Sequence, residues 1–586
     1  MSTSDHESDP SLFRAGSECD SEAVDHLDKT NVEKLISLRE NINWEIEADR
    51  HTFLDQLCLL IKNWKGQLPD LSEIFRPEEI DWLLVQDAYN KTYLGEVPLI
   101  DFVIRTGYKD KPDLDKDGKP ILRRTTAVHR AARSSRSTMC ISISKLFQIY
   151  KDVNFIDESG LTHFHIACKY GYKDVVNKFL ELGQDPDCLA QKSVDPPLHL
   201  ALKHYHKDVV ELLLRGGADA NLANKDGLTP LHVISKVGHC YYCELVELFF
   251  KINEELKKPV KVNAQDKLGF TPLHFALRHY RLSVAEFLLK KGADPNLTSN
   301  DGSTALHVIC KIQNDGDLAT ILFNTGAGEI QKVKVDAADK LGRTPLQWAV
   351  ANLLCDVVDV VLDHGADLSS FVFPTEDYFA VRYKLDCTLQ KVVFRTISII
   401  ESLESKGYEL DQTAALMIMK LFAKYGLIDD SVNVDECLRK DKEFMSIAKE
   451  QMVSSSLTLY DFLRLPHEEA ENVLKFENYQ EFTCEISHLS DESHRVYIKH
   501  LCETVARRFF RRWALELFSK KSPWLSKNHC KKIINSMNIK DLWDICMAAA
   551  NENTQWLDSV RTDYVKKYYS REVDLSFFLD DWTYHK

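Results

Sequence analysis

Thr229-Pro230-Leu231-His232 opens an apolar, helix-like run, and the same four letters return at Thr271-Pro272-Leu273-His274. Weaker copies stand on either side: Thr126-Ala127-Val128-His129, Thr162-His163-Phe164-His165, Pro197-Leu198-His199, Thr304-Ala305-Leu306-His307 and Thr344-Pro345-Leu346-Gln347. Counted at the His position, the steps are 36, 34, 33, 42, 33 and 40 residues. A step that keeps returning to about 33 residues is the mark of a stacked helical repeat. It sets the fold of the middle of the chain and points to binding rather than catalysis.

Each unit has a local logic. In Asp226-Gly227-Leu228-Thr229-Pro230, the Asp-Gly pair makes a tight turn in which Gly supplies positive φ. Thr229 caps the helix that follows, and Pro230 at its first position loses no hydrogen bond. A second helix follows in each unit, as in Asp208-Val209-Val210-Glu211-Leu212-Leu213-Leu214. Its apolar side is too broad for a lone helical hairpin, so it must pack on the units before and after it. Gly217-Ala218-Asp219, Gly292-Ala293-Asp294 and Gly365-Ala366-Asp367 end these helices. Seven units run from about Asp117 to Asp367, and the outer two depart most from the pattern.

This motif and spacing resemble the ankyrin repeat. The fold expected is mostly α: an ankyrin-repeat solenoid of about seven repeats, with a helical N-terminal segment and a helical C-terminal domain. The steps of 42 and 40 residues imply insertions near 251–262 and 326–335, expected in the connections between repeats.

The chain has 586 residues, is 44% hydrophobic and 28% charged, and carries a net charge of −15. Such a composition folds, and its charge argues against a general nucleic-acid or anionic-membrane binder. Fifteen scattered cysteines suit reduced thiols and a cytosolic setting better than a disulfide framework. No apolar stretch reaches the length of a membrane span, and the first thirty residues lack a signal-peptide core. Residues 1–30 hold eight acidic residues against Arg14 and Lys29 and are expected to be a disordered acidic tail. Residues 31–107 read as a helical lead-in, through Phe53, Leu54, Leu57, Leu60, Ile61 and Trp64. The array fills 108–370, a helical connector 371–453, a further helical domain 454–550, and 551–586 has no assignment.

The part from 454 to 550 carries a second resemblance. Leu457-Thr458-Leu459-Tyr460-Asp461-Phe462-Leu463 and the run from Trp524 to Leu542 resemble the two ends of a PRANC domain, as in poxviral and parasitic-wasp ankyrin/PRANC proteins. The end of that domain resembles an F-box, which grips the Skp adaptor of a cullin ubiquitin ligase. The resemblance implies that Leu525, Ile533, Ile534, Met537 and Leu542 dock a Skp adaptor. Ile533, Ile534 and Met537 would form an apolar ridge beside Lys531 and Lys532. Where the F-box pattern begins Leu-Pro, Ser526 follows Leu525 here and the proline stands earlier, at Pro523.

Other constellations favour structure over chemistry. Asp113-Leu114-Asp115-Lys116-Asp117-Gly118 begins like a calcium loop, but the position for a bidentate acid is Arg124, so a turn leading into the first repeat is expected. His239-Cys240-Tyr241-Tyr242-Cys243 has half of a zinc spacing and no second half. His467-Glu468-Glu469 lacks the second His of a zincin. The repeated histidines hold a fixed place in the motif, which suits hydrogen bonds between neighbouring turns and helices. No catalytic, cofactor or metal site is expected, and no small-molecule substrate.

Arg507-Arg508-Phe509-Phe510-Arg511-Arg512-Trp513 lies in a stretch from Arg495 to Lys532 with a local charge of +9. It reads as an amphipathic helix with a solvated basic face; an acidic protein partner, nuclear import and nucleic-acid contact are the functional alternatives. Within the array, Tyr170, Tyr172, His204, Tyr205, His206, His239, His279, Tyr280 and Arg281 follow the first helices. Tyr and Arg at such helix ends are favoured interface anchors. The expectation is a cytoplasmic adaptor that captures a protein on its repeats and docks a Skp–cullin ligase through its C-terminal part. The alternative is a scaffold or inhibitor that sequesters a signalling protein.

Overall fold

The computed structural model describes residues 31–550 except 63, 65–66, 90–97, 135–138, 151, 190–194, 238–241, 313–315, 326–331, 376–387, 430–433, 455–456, 467–468, 471–472, 474–490 and 524. The expected acidic tail, the last stretch 551–586, His239 and His467-Glu468 therefore lie outside the described residues. The chain divides into two compact units, Met1–Val284 and Ala285–Lys586. Both are mostly helical.

The first unit begins with α1 (31–40), α2 (Glu47–Lys62), α3 (Leu71–Ile74), α4 (Pro77–Tyr89) and α5 (Pro98–Arg105). These bury Leu35, Leu57, Leu84, Ile100 and Phe102 among themselves. Helix pairs follow: α6 (Ala127–Arg133) with α7 (Met139–Tyr150), α8 (His163–Tyr170) with α9 (Lys173–Glu181), α10 (Pro197–Lys203) with α11 (Lys207–Arg215), and α12 (Pro230–Lys236) with α13 (Tyr242–Glu255). α14 (Pro272–Arg278) opens a fifth pair, and the division between the units falls within its second helix, α15 (Leu282–Lys290).

Each first helix is held by the motif that begins it. The Nδ1 atom of His232 accepts from the N–H of Thr229 at 3.0 Å, and its Nε2 donates to the Phe270 carbonyl, one repeat further on, at 3.0 Å. His129 makes the same two bonds, to Thr126 at 3.2 Å and to Leu161 at 3.0 Å, and His199 reaches Leu228 at 2.8 Å. The ring must be neutral to accept on one nitrogen and donate from the other. Burial secures that, lowering His129 to about 4 and shifting His199 and His232 in the same direction. His129, His199 and His232 are thus inter-repeat struts, as their fixed place implies.

The turns also interlock. Asn224 Oδ1 accepts from the N–H groups of Asp226 and Leu228, both at 3.0 Å. Gly227 stands at φ 83°, and a Cβ there would meet the Lys267 nitrogen of the next turn at 2.7 Å. The close approach lets Lys267 N–H donate to the Asp226 carbonyl at 3.2 Å. The 42-residue step is only partly taken up in the connections, where it is expected. More than half of the insertion lengthens a helix: α13 has 14 residues where α9 and α11 have nine. The connection after it is tied back by Asn221, whose Nδ2 donates to the Pro259 carbonyl at 2.8 Å. The second expected insertion lies largely outside the described residues.

Leu273 in α14 is 1% exposed, and α14 packs on α12. Leu273→Ala should therefore cost about 3 kcal/mol, from lost burial and the cavity left behind. Urea unfolding measures it, and a loss under about 0.5 kcal/mol would mean that the repeat core lies elsewhere.

The second unit holds α16 (Ala305–Cys310) with α17 (Asp317–Thr325) and α18 (Pro345–Ala351) with α19 (Cys355–Asp363). His307 repeats the strut, reaching Arg343 at 3.0 Å. In the last pair the motif letter is Gln347, and its amide does the same work. Oε1 accepts from Thr344 N–H at 3.0 Å, and Nε2 donates to the Val372 carbonyl at 3.2 Å. The apparent degradation of the motif preserves both bonds.

Beyond the repeats come α20 (Leu389–Ser405), α21 (Gln412–Lys424), α22 (Val434–Lys440) and α23 (Lys442–Glu450). A short antiparallel pair, β1 (Met452–Ser454) with β2 (Leu457–Thr458), then leads into α24 (Leu459–Phe462). α25 (Asp491–Lys521) packs against α20, α26 (Lys527–Asn535) and α27 (Ile539–Ala550).

Candidate protein interface

The stripe residues sit at or beside the short connections between the two helices of a pair, where chain direction reverses. Tyr170 ends α8, Gly171 caps it at φ 77°, and Tyr172 is the residue before α9. His204 caps α10, Tyr205 follows at φ 62°, and His206 precedes α11. His279 caps α14, with Tyr280 at φ 57° and Arg281 behind it.

The structure brings the first five together and gives them different work. Tyr170 stacks on Tyr172 with centroids 6.2 Å apart, and its hydroxyl donates to the Ala132 carbonyl of the preceding repeat at 3.3 Å. Tyr172 is half-buried, edge-on to Phe147 at 5.5 Å. His206 is a correction to the expected interface. Its Nε2 donates to the Lys169 carbonyl at 2.9 Å, and its ring fills the space a Cβ on Gly171 would need, 2.4 Å away. His206 and Tyr172 thus belong to the seam between repeats, because a close-packed helix end leaves them nowhere else to go. His279 stacks on Phe275 at 6.3 Å and is half-buried. His204, stacked over His206 at 6.4 Å, and Tyr280 are the exposed members, with Tyr205 and Arg281 half-buried.

Tyr205 and Tyr280 occupy left-handed backbone, a region that non-glycine residues visit at a cost of about 1–2 kcal/mol. Gly171 holds the equivalent place after α8 without strain. Leu353 holds the same place after α18 at φ 50° and is buried, whereas Tyr280 is exposed. Tyr280→Gly should therefore raise stability by about 1 kcal/mol in urea unfolding while weakening capture of the partner. A loss of stability instead would make Tyr280 a packing residue.

The face is electropositive. Burial, then the neighbouring Lys169, His206 and Lys203, hold the His204 imidazole below its usual value. Burial, then Lys236, Arg278 and Arg281, do the same to His279.

The C-terminal residues fare differently. Ile533 is 1% exposed, and Ile534 and Leu542 are fully buried, while Leu525 and Met537 are half-buried. The ridge expected to face a Skp adaptor is turned into the second unit. Its stripe packs under α25, whose own Phe509, Phe510, Trp513 and Leu517 are buried. Arg508 and Arg512 do lie on a solvated face, but Arg507 is buried and donates to the Asn535 carbonyl at 3.0 Å, closing the end of α26.

A network that the repeat pattern does not reveal joins α4 to the first pair. Arg124 lies 2.6 Å from Asp110 and 3.3 Å from Asp81, and its guanidinium stands over the Phe155 ring at 4.4 Å. Asp81 Oδ1 also accepts from Ala127 N–H at 3.0 Å, at the start of α6, and from the Tyr150 hydroxyl. Burial outweighs the Arg124 pairing and pushes Asp81 up to about 6. Asp115 meanwhile accepts from the N–H groups of Asp117 and Lys119, at 2.9 and 2.8 Å, and so organises the turn that resembled a calcium loop.

Family profiles described as "Ankyrin repeats (3 copies)" match residues 198–299 and 291–371, and one described as "Ankyrin repeats (many copies)" matches 164–214. Residues 164–371 are ankyrin repeats. The α6–α7 pair ahead of them has the same Thr–His cap and the same strut. A putative ankyrin repeat protein of Rickettsia bellii is 29% identical over 210 residues, 35% of this chain and 55% of that protein. Human B-cell lymphoma 3 protein is 30% identical over 154 residues, 26% of this chain and 32% of its own. Palmitoyltransferase AKR1 of Lachancea kluyveri is 28% identical over 117 residues, 20% of this chain and 16% of that enzyme. The chain spans about half of the bacterial relative and less of the other two. Ankyrin repeats bind proteins, and that much holds for this array. Among the described residues no helix is long and apolar enough to cross a membrane.

Proposed function

We propose that this chain is a non-catalytic adaptor that captures a protein on the helix-end connections of its ankyrin repeats. The observation that carries the reading is the pair of strained tyrosines, Tyr205 and Tyr280, on a face that also exposes His204. Aromatic anchors at such places give large contact area at low entropic cost. The buried free thiols Cys168, Cys310, Cys502 and Cys546 suit a reducing, cytosolic setting.

The test is a triple variant, His204→Ala with Tyr205→Gly and Tyr280→Gly, used as bait beside the natural protein. Loss of the captured protein with unchanged helicity supports the reading. Undiminished capture moves the interface elsewhere.

The fate of the captured protein has two readings. Burial of Ile533, Ile534 and Leu542 favours sequestration by a scaffold or inhibitor. Ligase recruitment through residues 454–550 rests on the PRANC resemblance and retains half-buried Leu525 and Met537 and exposed Lys531 and Lys532 as its contact residues. Skp and cullin peptides co-purifying with the chain would favour recruitment, and their absence favours sequestration.

A further inference from the structure

Aligning the repeats of the first unit on the motif histidine reveals a second periodicity. The residue four places on is always basic: Arg133 after His129, Lys169 after His165, Lys203 after His199, Lys236 after His232 and Arg278 after His274. Each stands in the last turn of its first helix, beside the connection that carries the tyrosines. Favourable interaction with the helix dipole would explain a cation at any helix end. It does not explain how these cations are paired. On the second helices, Arg215 is neutralised by Glu211 and Glu255, both at 2.8 Å. Among the described residues, Arg133 pairs with Asp157 at 2.7 Å, but no carboxylate forms an ion pair with Lys169, Lys203, Lys236 or Arg278. These four stand side by side in a chain of net charge −15, and they repel: Lys169 is held below its usual value by burial and then by Lys203.

We propose that these cations form a ladder that docks an acidic, proline-rich segment of the captured protein in polyproline II conformation, with a carboxylate at every third residue. The proposal rests on the adaptor reading and names the chemistry of its partner. Spacing selects the conformation. The helices α8, α10, α12 and α14 pack in sequence, each against the next, so their ends recur at the 8–10 Å usual between packed helices. A polyproline II chain returns a side chain to the same face every three residues, about 9 Å along. A strand returns one every ~7 Å and a helix every 5.4 Å, both out of step with the ladder. Tyr170, Tyr205 and Tyr280 flank the rungs, and aromatic-lined surfaces are what proline rings dock against. Nucleic acid fits less well, since duplex phosphates follow one another at about 3.4 Å per strand and the remainder of the chain is strongly acidic.

The experiment measures binding of the full chain to a fluorescent peptide of six Glu-Pro-Pro triplets. Its comparators are a peptide of the same composition with paired glutamates and longer proline runs, and an oligouridine of similar length. The triplet peptide should bind more tightly than the rearranged one, and raising salt from about 50 to about 200 mM should weaken it. Lys236→Glu should lower affinity about tenfold, whereas Lys251→Glu, the same charge change on the second helix of the same pair, should lower it less than about twofold. Equal binding of both peptides, equal effects of the two substitutions, or tighter binding of the oligouridine would each overturn the ladder. If the tyrosine-site variant loses its native partner while the triplet peptide does not bind, the adaptor reading survives and the ladder alone fails.

Discussion

Ile534→Asp is expected to unfold the C-terminal helices, at a cost of about 4 kcal/mol or more. Ile534 is fully buried in α26, and Cys530 and Ile533 on the same helix are buried with it. A carboxylate placed there has to shed its water with no cation given to it, or take up a proton to enter. Hydrogen exchange over α25, α26 and α27 is the measurement, and protection should collapse along all three. Lys531→Glu with Lys532→Glu is the control. Both lysines are exposed on the same helix, and their reversal should change stability by no more than about 0.5 kcal/mol. If the Ile534 variant keeps full protection, the residue is free to meet a partner and the apolar ridge regains its place as a docking site.

Arg124→Met should cost the first unit about 3–5 kcal/mol, because it strands two buried carboxylates that now share one cation. Asp110 and Asp81 have side chains only 1% and 6% exposed. The loss should appear as faster hydrogen exchange from α4 to α7. It should also depend on pH. Burial already raises Asp81 from 3.8 to about 6, and without Arg124 its affinity for a proton rises further. A carboxyl whose folded pKa exceeds its unfolded one contributes stability below the unfolded value and loses it as pH rises through the folded one. The variant's deficit should therefore be larger at about pH 7.5 than at about pH 5. Adding Asp81→Asn and Asp110→Asn to the variant should recover part of the loss, since neutral groups tolerate burial better than unpaired charges. A deficit that ignores pH would mean that Arg124 contributes packing on Phe155 rather than charge.

The repeats were legible because their determinants are local. Thr229 and His232 are three residues apart, and the cap they form depends on little beyond helix geometry. The Asp-Gly turn is equally local, and so the seven helix pairs follow from the letters. The basic residue four places past each motif histidine was equally visible in the sequence and needed only the repeats to be aligned on it. Periodicity also identified an amphipathic helix through Arg507 to Trp513, which the structure places within Asp491–Lys521 with Phe509, Phe510, Trp513 and Leu517 buried.

What periodicity could not reveal was the neighbour each apolar or polar side chain would meet. An apolar stripe such as Ile533, Ile534 and Met537 reads the same whether it faces a partner or its own core, and only the packing of α25 over it decides. Arg124 looked like a defect in a metal loop until the fold brought Asp81, 43 residues earlier, within 3.3 Å. His204 and His206, two residues apart with the same side chain, divide into a surface group and a seam strut because it is the ring of His206 that packs on Gly171 of the preceding repeat and reaches the Lys169 carbonyl. Caps, turns and repeat length are set by interactions within a few residues, which a sequence records directly. Burial and charge pairing are set by residues tens of positions apart, and those meet only when the chain folds.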